Sequence, residues 1–388
     1  MVTIEEALRI IEDQKITLQR ETKPLEASLG YALAANITAP FDVPEFDNSA
    51  MDGYALCGLY QEYQLIGEVA AGDSKDISLN DGEAVRIFTG AKVPQNTTAV
   101  MMQEKTSVKE RTLFLDEMPK AGQNVREKGG QLKKGQAVFE KGHVLSPPSL
   151  ALMGSLGWSE LDVFSKPRVN IITTGNELVK PGNPKTEGQI YESNSYAIAG
   201  ALQQFGFQHH QKIQLQDDFE ATKAGIKTAL ESCDVLIISG GISVGDYDFV
   251  KQSLEENGVN ELFYKVFQKP GKPLYFGRKQ NQFVFALPGN PASSLTCFYV
   301  YVLPLLQKLS GYSKTGLPTY KFPIKHAFEN RFGRPSFLKA AVIDGKVEVL
   351  EGQGSSMIQS MAQGNALAFV EDGEVLKKGD LMKCKLIS

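Results

Sequence analysis

The regular alternation of apolar and amphipathic segments between residues 168 and 310 most constrains how this chain can fold. The segments RVNIITTG, HHQKIQL, DVLIISG and FVFALPG are typical of buried strands, and a helical pattern follows each of them. The first of these helices is expected to begin with Ser193 or Asn194 as its cap and to end at Gly206. Because alternating strands and helices form parallel sheets covered on both faces, the stretch predicts a doubly wound α/β domain.

The segments on either side predict smaller modules. Ile4, Leu8 and Ile11 follow a helical stripe, and the spacing of the apolar residues from Leu25 to Ile37 predicts a second helix. Short β-type runs between clusters of Gly, Pro, Asn and Asp fill residues 41–137, and Asp-Gly turn signals recur after residue 313. We therefore predict four domains: an elongated helical module (1–40 with 138–167), a β-rich insertion (41–137), the α/β domain (168–312) and a C-terminal β-barrel-like domain (313–388).

Composition narrows the function by exclusion. Lysine and arginine total 41 against 45 acidic residues, a net charge of −4, which argues against a general binder of nucleic acid or membrane surfaces. No apolar run approaches the ~20 residues of a membrane span, and the amino terminus lacks the apolar core of a signal peptide. The four cysteines lie far apart in the sequence, which fits reduced thiols rather than a disulfide scaffold or zinc ribbon. We expect a cytoplasmic protein.

Three loops of the α/β domain combine glycines with hydroxyl or amide side chains directly after a predicted strand. In a parallel sheet these carboxyl-terminal ends share one edge, where ligands bind. Glycine lets backbone N–H groups approach an anion closely, and a helix N-terminus adds partial positive charge. The loops therefore predict a phosphate site, although ordinary tight turns would look the same for any one of them. Their candidate binding residues are Gly175, Glu177, Gly240, Gly241, Ser243, Gly245, Pro288, Gly289, Asn290, Ser293 and Ser294.

Charged residues accompany these loops. Glu177, Asp246 and Asp248 would suit Mg²⁺, which prefers oxygen ligands and keeps substrate phosphates in its coordination shell. Helix capping is the alternative role for Asp246. Lys269 and Lys272 lie on a segment that two prolines stiffen, where their ammonium groups suit an oxyanion or a pyrophosphate; a solvated turn is the alternative.

The run from Gly241 to Gly245 also matches the G-x-S-x-G pattern of a serine hydrolase. That mechanism needs a histidine base, and His326 alone follows Ser243 among the four histidines. It lies in the predicted C-terminal domain, so the hydrolase interpretation is disfavoured. The same scarcity of His and Cys argues against a transition-metal site built from protein ligands. The residues alone thus predict a protein that binds a phosphorylated small molecule.

Seven runs in order carry a resemblance to a known family. They are PEFDNSAMDGYAL (44–56), RIFTGAKVP (86–94), NVREKGG (124–130), TTGNEL (173–178), SGGISVGDYD (239–248), KPGKPLYFG (269–277) and LPGNPASS (287–294). The chain resembles the MoeA family of molybdopterin molybdenumtransferases, which also includes the E domain of gephyrin. The resemblance covers essentially the whole chain.

The resemblance implies molybdenum cofactor biosynthesis: molybdenum from molybdate enters the dithiolene of adenylylated molybdopterin, and AMP is released. It also implies Mg²⁺ dependence and a homodimer, whose site would lie between the α/β domain of one chain and the β insertion of the other. Molybdenum seeks soft ligands, and the sulfurs of the pterin would supply them. Contacts with the adenylyltransferase of the pathway and with molybdoenzymes are further possible partnerships.

Residue roles follow from matching positions. Asp52 and Thr89 would be the functional pair of the insertion, with Asp52 acting near the transferred metal. Glu177, Asp246 and Asp248 would surround the cation and pyrophosphate, and Asn176 stands where an Asp is expected. The remaining roles by resemblance are a phosphate or molybdate clamp (Lys269, Lys272), the wall of the pterin pocket (Pro288, Ser293, Ser294) and a substrate-binding position in the run 124–130 (Arg126).

Two other functions of the same fold stay open. One is the molybdopterin adenylyltransferase of the pathway, although that enzyme resembles only the α/β domain. The other is a scaffold that binds a protein through its C-terminal domain. The residues do not separate molybdate from tungstate, since the two oxyanions are nearly alike in charge and size.

Overall fold

The computed structural model describes residues 1–73, 76–242 and 249–387. Within them the α-helices are α1 (Ile4–Glu12), α2 (Pro147–Ser155), α3 (Asn194–Gln204), α4 (Phe219–Leu230), α5 (Phe249–Glu256), α6 (Pro291–Cys297), α7 (Leu303–Leu309) and α8 (Ile358–Gln363). Short 3₁₀ turns cover Leu25–Ala27 and Gln103–Lys105, and a π-helical turn covers Phe298–Val302.

Strands make up most of the remaining regular structure. Those before the predicted α/β domain are β1 (Arg20–Pro24), β2 (Ile37–Thr38), β3 (Asn48–Ser49), β4 (Gly53–Leu56), β5 (Glu62–Val69), β6 (Glu83–Ile87), β7 (Ala99–Met102), β8 (Thr106–Lys109), β9 (Thr112–Leu115), β10 (Val125–Arg126), β11 (Ala137–Phe139) and β12 (Glu160–Phe164). The later ones are β13 (Val169–Thr174), β14 (Leu178–Val179), β15 (Ile190–Tyr191), β16 (His209–Leu215), β17 (Val235–Ser239), β18 (Asn260–Tyr264), β19 (Tyr275–Lys279), β20 (Gln282–Leu287), β21 (Thr319–Pro323), β22 (Phe328–Glu329), β23 (Ser336–Ile343), β24 (Lys346–Val349), β25 (Ala366–Val370), β26 (Val375–Leu376) and β27 (Leu381–Leu386).

The chain is divided into two compact units. The first joins Met1–Ala34, Gly142–Leu150 and Glu160–Ser388. The second joins Ala35–Lys141 and Ala151–Ser159. The four predicted domains are smaller than these units, and their boundaries stay a prediction.

A six-stranded sheet in the order β16-β13-β17-β20-β19-β18 is the centre of the first unit. The first four strands in this order, β16, β13, β17 and β20, pair in parallel, which confirms the predicted α/β fold. The last two pairings, β20 with β19 and β19 with β18, are antiparallel and were not predicted. Only a tight turn at Gln280, whose φ is +54°, separates β19 from β20, and so short a connection can join antiparallel strands only.

Apolar side chains fill both faces of this sheet, because successive residues of a strand point to opposite sides. Ile171 and Ile237 belong to the cluster that packs against α3 and α6. Ile172 and Ile238, one residue further along the same strands, belong to the cluster that packs against α4 and α5. The sheet is therefore covered by helices on both sides, and its ligands must enter at an edge.

The long helical segment predicted after LPG is present but interrupted. The π-helical turn at Phe298–Val302 separates α6 from α7. Pro304 follows this turn and has no N–H to donate to the carbonyl four residues earlier. A locally widened helix accommodates such a missing bond without ending the helical path.

The predicted helix from Leu25 to Ile37 is wrong. The segment holds one 3₁₀ turn, and Gly30 has a φ of +71°, outside the right-handed helical region. The N–H of Leu33 donates to the carbonyl of His143 at 3.0 Å. Pairing with a distant part of the chain thus replaces the local helical bonds that the leucine spacing indicated.

The C-terminal residues form a five-stranded antiparallel sheet in the order β21-β27-β25-β23-β24. An isolated bridge between Ile324 and Val347 brings the end of β21 back towards β24. The sheet thereby curls towards closure around a core that includes Leu338, Ala368 and Met382, as the predicted β-barrel-like domain requires.

The second unit is mostly β, as predicted for the insertion. Its six-stranded sheet has the order β7-β4-β6-β5-β9-β8, in which only β5 and β6 pair in parallel. Apolar clusters around Val85 and Leu56 pack against its strands. Across the described residues, no helix of either unit is both long and apolar enough to pass through a membrane.

Candidate active site

A cleft of about 740 Å³ opens at the carboxyl edge of the six-stranded sheet. The ends of β13, β17 and β20 all contribute to it, so the three predicted loops do meet. Its lining residues among the candidates are Glu177, Gly240, Gly241, Pro288, Gly289 and Asn290.

The first loop follows β13. Glu177 lines the cleft and is exposed, whereas Gly175 is buried beneath it. Thr174 donates its hydroxyl to the carboxylate of Asp217, and the N–H of Asp217 donates to the side-chain oxygen of Asn176 at 3.1 Å. Asn176 therefore fixes the neighbouring loop, a task that an Asp oxygen in its place would also perform.

The second loop follows β17 and depends on glycine. Gly240 has a φ of +100°, and a Cβ there would lie 2.7 Å from the carbonyl oxygen of Thr174. Gly241 has a φ of +66° and would meet Val250 at 2.5 Å. Both positions require glycine so that the backbone itself forms the cleft wall. The predicted residues Ser243, Gly245, Asp246 and Asp248 lie outside the described residues, and with them the hydrolase alternative.

The third loop follows β20 and leads into α6. Asn290 occupies the N-cap position, and Pro291 begins the helix. The Asn290 side chain makes no capping bond; it donates instead to the Ser355 hydroxyl at 2.9 Å. Ser293 and Ser294 are 2% and 1% exposed, so they lie behind the cleft wall rather than on it.

The lysine pair is not part of the described cleft lining, where only Pro273 represents its segment. The Lys269 ammonium lies 3.3 Å from the centre of the Phe332 ring. Burial, and secondarily the charge of Arg334, lower the pKa of Lys269. Lys272 is exposed. Their role as a clamp stays a prediction.

Three carboxylates line the cleft, of which the sequence predicted only Glu177. Asp217 follows β16, so the rule applied to the other strand ends would have found it. Glu192 is a buried residue that precedes α3 rather than following a long strand of the sheet, so the rule about strand ends does not point to it. No group of three or more metal-ligating side chains occurs among the described residues. The predicted metal set depends on Asp246 and Asp248, which are outside them.

Asp52 and Thr89 do come together in the second unit. One Asp52 oxygen accepts from the Thr89 N–H at 2.7 Å and from its hydroxyl at 2.8 Å. These bonds, backbone first, and then the charge of Arg86 lower the pKa of Asp52. Both residues are exposed, and the lowered pKa favours the ionised form of the Asp52 carboxyl.

The structure also fixes the chain around Asp52. Arg86 donates to the carbonyl of Gly53 at 3.3 Å and stacks on Tyr54, 5.0 Å from the ring centre. Arg126 is exposed on β10, which pairs with β3 a few residues before Asp52. The second unit therefore collects Asp52, Thr89 and Arg126 on neighbouring segments, and their roles stay a prediction.

Comparison with known proteins gives the same family along the whole chain. Residues 2–157 match the MoeA N-terminal region (domains I and II), residues 170–308 match the probable molybdopterin binding domain, and residues 321–387 match the MoeA C-terminal region (domain IV). Molybdopterin molybdenumtransferase of Haemophilus influenzae is 37% identical and covers 96% of this chain and 95% of its own. The relative of that name from Nostoc sp. is 33% identical, with 93% and 87% covered.

Solved structures agree. The crystal structure of the molybdopterin biosynthesis moeA protein from Pyrococcus horikoshii OT3 is similar with a TM-score of 0.85 and 29% identity, over 100% of both chains. The three matched regions follow one another along the chain, and the chain therefore belongs to the MoeA family.

Proposed function

Because the chain belongs to the MoeA family, we propose that it is a molybdopterin molybdenumtransferase of molybdenum cofactor biosynthesis. Its substrates are adenylylated molybdopterin and molybdate. Molybdenum enters the dithiolene of the pterin, and AMP leaves. The observation that carries the proposal is the match to this family along the chain, and the cleft that Gly240 and Gly241 help to line supplies a site for the substrate.

The charge of the cleft supports a requirement for Mg²⁺. Glu177, Glu192 and Asp217 line it, and among the described lining residues there is no lysine or arginine. A pyrophosphate beside these carboxylates would be repelled without a cation. The oxygen donors fit Mg²⁺, and we propose that Glu177, Asp246 and Asp248 hold it. When bound, the ion would supply the positive charge that lets carboxylates and phosphates share the cleft.

The protein residues orient the substrates and keep a carboxylate ionised. The glycines let the backbone of the loops approach the pyrophosphate closely, and Lys269 and Lys272 attract the oxyanion. Asp52, held by two Thr89 donors, supplies a fixed negative charge near the transferred metal. All four cysteines are free, and three of them are buried, so the sulfur ligands come from the pterin itself.

The test follows AMP release from adenylylated molybdopterin after molybdate and Mg²⁺ are added. The wild-type chain is expected to release AMP with formation of molybdenum cofactor, and Asp52→Ala to release it at least ~10²-fold more slowly. Asp42→Ala is the matched control, because Asp42 also accepts a backbone N–H, at 2.8 Å from Lys134. Equal rates for wild type and Asp52→Ala would contradict the proposal.

The same preparation separates the alternatives. An adenylyltransferase would form adenylylated pterin from ATP and molybdopterin, and a scaffold would do neither reaction. Parallel assays with molybdate and tungstate show which oxyanion is preferred.

We further propose a cytoplasmic homodimer in which each substrate contacts the α/β domain of one chain and the β insertion of the other. Phe46 and Met51 support an interface near Asp52, since their apolar side chains are 42% and 41% exposed. Light scattering that finds a monomer at working concentrations, with full activity, would exclude the shared site. Contacts with the adenylyltransferase and with molybdoenzymes are proposals that co-purification tests.

A further inference from the structure

We propose that Asn194 is a positioning residue that holds two loops of the cleft, and through them Ser294, in the geometry that the substrate requires. The inference rests on the proposed function and names a residue that the sequence predicted only as a helix cap.

Glu192 performs the capping task that the sequence assigned to Ser193 or Asn194. Its two carboxylate oxygens accept from the Ser195 N–H at 2.7 Å and from the Ser195 hydroxyl at 2.6 Å. Ser193 occupies the N-cap position but makes no side-chain bond to α3. The first residue of the helix, Asn194, is therefore free to direct its amide elsewhere.

The Asn194 amide joins the ends of two parallel strands. Its nitrogen donates to the Ser239 hydroxyl at 2.8 Å and to the carbonyl of Gly289 at 2.7 Å. A carbonyl can only accept, so the nitrogen must face Gly289, and the amide orientation is fixed. One side chain thus ties the end of β17 to the loop after β20, 45 and 95 residues further along the chain.

Ser239 extends this connection to the first turn of α6. Its oxygen accepts from Asn194, and its hydroxyl donates to the Pro288 carbonyl at 3.4 Å. The Ser294 hydroxyl is also 3.4 Å from the Ser239 oxygen, and either of these two hydroxyls can be the donor. All three residues, Ser239, Pro288 and Ser294, form or support the wall of the cleft. A change at Asn194 is therefore transmitted to Ser294, which has no direct bond to it.

The Asn194 side-chain oxygen is buried and has no hydrogen-bond partner among the described residues. The residue therefore acts through its two donors, which reach both loops of the cleft at once. Activity measured on a folded variant separates positioning of the cleft from a contribution to stability alone.

Asn170, on β13 of the central sheet, is a matched control for Asn194. Its amide nitrogen donates to the carbonyl of Ala229 at 2.8 Å and to the Ser232 hydroxyl at 2.9 Å, and its oxygen is also buried without a partner. It lies near the start of β13, away from the carboxyl edge. Asn170→Ala therefore removes the same kinds of bonds without touching the cleft.

The experiment compares wild type, Asn194→Ala and Asn170→Ala in AMP release and in thermal unfolding. Wild-type activity must first be present, so its absence would overturn the proposed function and not this inference. We expect kcat/KM to fall about 10²-fold in Asn194→Ala at a temperature where it is fully folded, and to stay within about twofold of wild type in Asn170→Ala. Equal kcat/KM in both variants would overturn the positioning role.

A double-mutant cycle tests the connection to Ser239. If Asn194 acts through Ser239, combining Asn194→Ala with Ser239→Ala will lower kcat/KM by less than the product of the single effects. Independent effects that multiply fully would exclude the relay to Ser294. Should Asn194→Ala not fold, Asn194→Ser provides the same comparison with a smaller change, because its short side chain cannot reach both acceptors.

Discussion

Asp52, which we propose acts near the transferred metal, shows how neighbouring residues set the charge of a single exposed side chain. Two donors from Thr89 converge on one of its oxygens, and Arg86 lies beside the following turn. The carboxylate therefore keeps its charge to lower pH than an unassisted Asp would. Because this depends on a hydroxyl, it can be altered without touching Asp52 itself.

We predict that Thr89→Val raises the pKa of Asp52. The hydroxyl donor is lost while the backbone N–H remains, so the rise is partial. In wild type the stability that the ionised Asp52 gains from these bonds is fully present above the pKa of an unfolded Asp, and it is lost as the pH falls through the lower folded pKa. Carbon-13 NMR titration of the carboxyl group measures the shift. An unchanged pKa would show that the hydroxyl bond contributes nothing in solution.

At the scale of elements, the close approach of neighbouring strand ends explains why the loop after β17 has a glycine at position 240. Gly240 and Gly379 have nearly the same φ, +100° and +94°, but only Gly240 has a neighbour where a Cβ would be. Alanine substitutions at Gly240 and Gly379 therefore separate the energetic cost of backbone strain from the cost of steric overlap.

Gly379→Ala is expected to destabilise the protein by about 1–2 kcal/mol, through its positive φ alone. Gly240→Ala adds the overlap with the carbonyl of Thr174 at 2.7 Å and is expected to lose at least a further ~1 kcal/mol, together with ligand binding in the cleft. Chemical unfolding of both variants measures the difference. Equal destabilisation would mean that the loop relaxes freely.

The elements also show what the sequence could predict. Val235–Ser239 is apolar at nearly every position, so a buried parallel strand was evident, and the loops at the strand ends followed from it. Asn260–Tyr264 mixes polar and aromatic residues and carries no such signal. Leu25 to Ile37 has helical spacing, yet its backbone bonds go to distant residues, which local patterns do not contain. Glu192 was missed because its place in the cleft and its bonds to Ser195 depend on the folded backbone, which the sequence does not display.

At the scale of the whole molecule, burial makes most of the cysteine thiols unavailable as metal ligands. Cys233, Cys297 and Cys384 are buried, and burial raises the pKa of each thiol to about 12. Cys57 is half-buried, and its pKa is raised mainly by burial. A metal that needs sulfur would therefore find few thiolates in the folded chain.

Iodoacetamide at pH 8 is expected to alkylate Cys57 slowly in the native protein and to leave the other three unmodified. With a pKa of about 12, roughly 10⁻⁴ of such a thiol is ionised at that pH. Mass spectrometry before and after unfolding in urea measures the labelling, and the unfolded chain serves as the control. Rapid native labelling of Cys297 would contradict the burial described above.

The division into two units has a consequence for inheritance. The chain passes from one unit to the other after Ala34, Lys141, Leu150 and Ser159, so neither unit is a continuous stretch of sequence. Recombination that moves one uninterrupted DNA segment would carry part of one unit and leave the rest behind. The two units are therefore expected to be gained, lost and exchanged between genomes together.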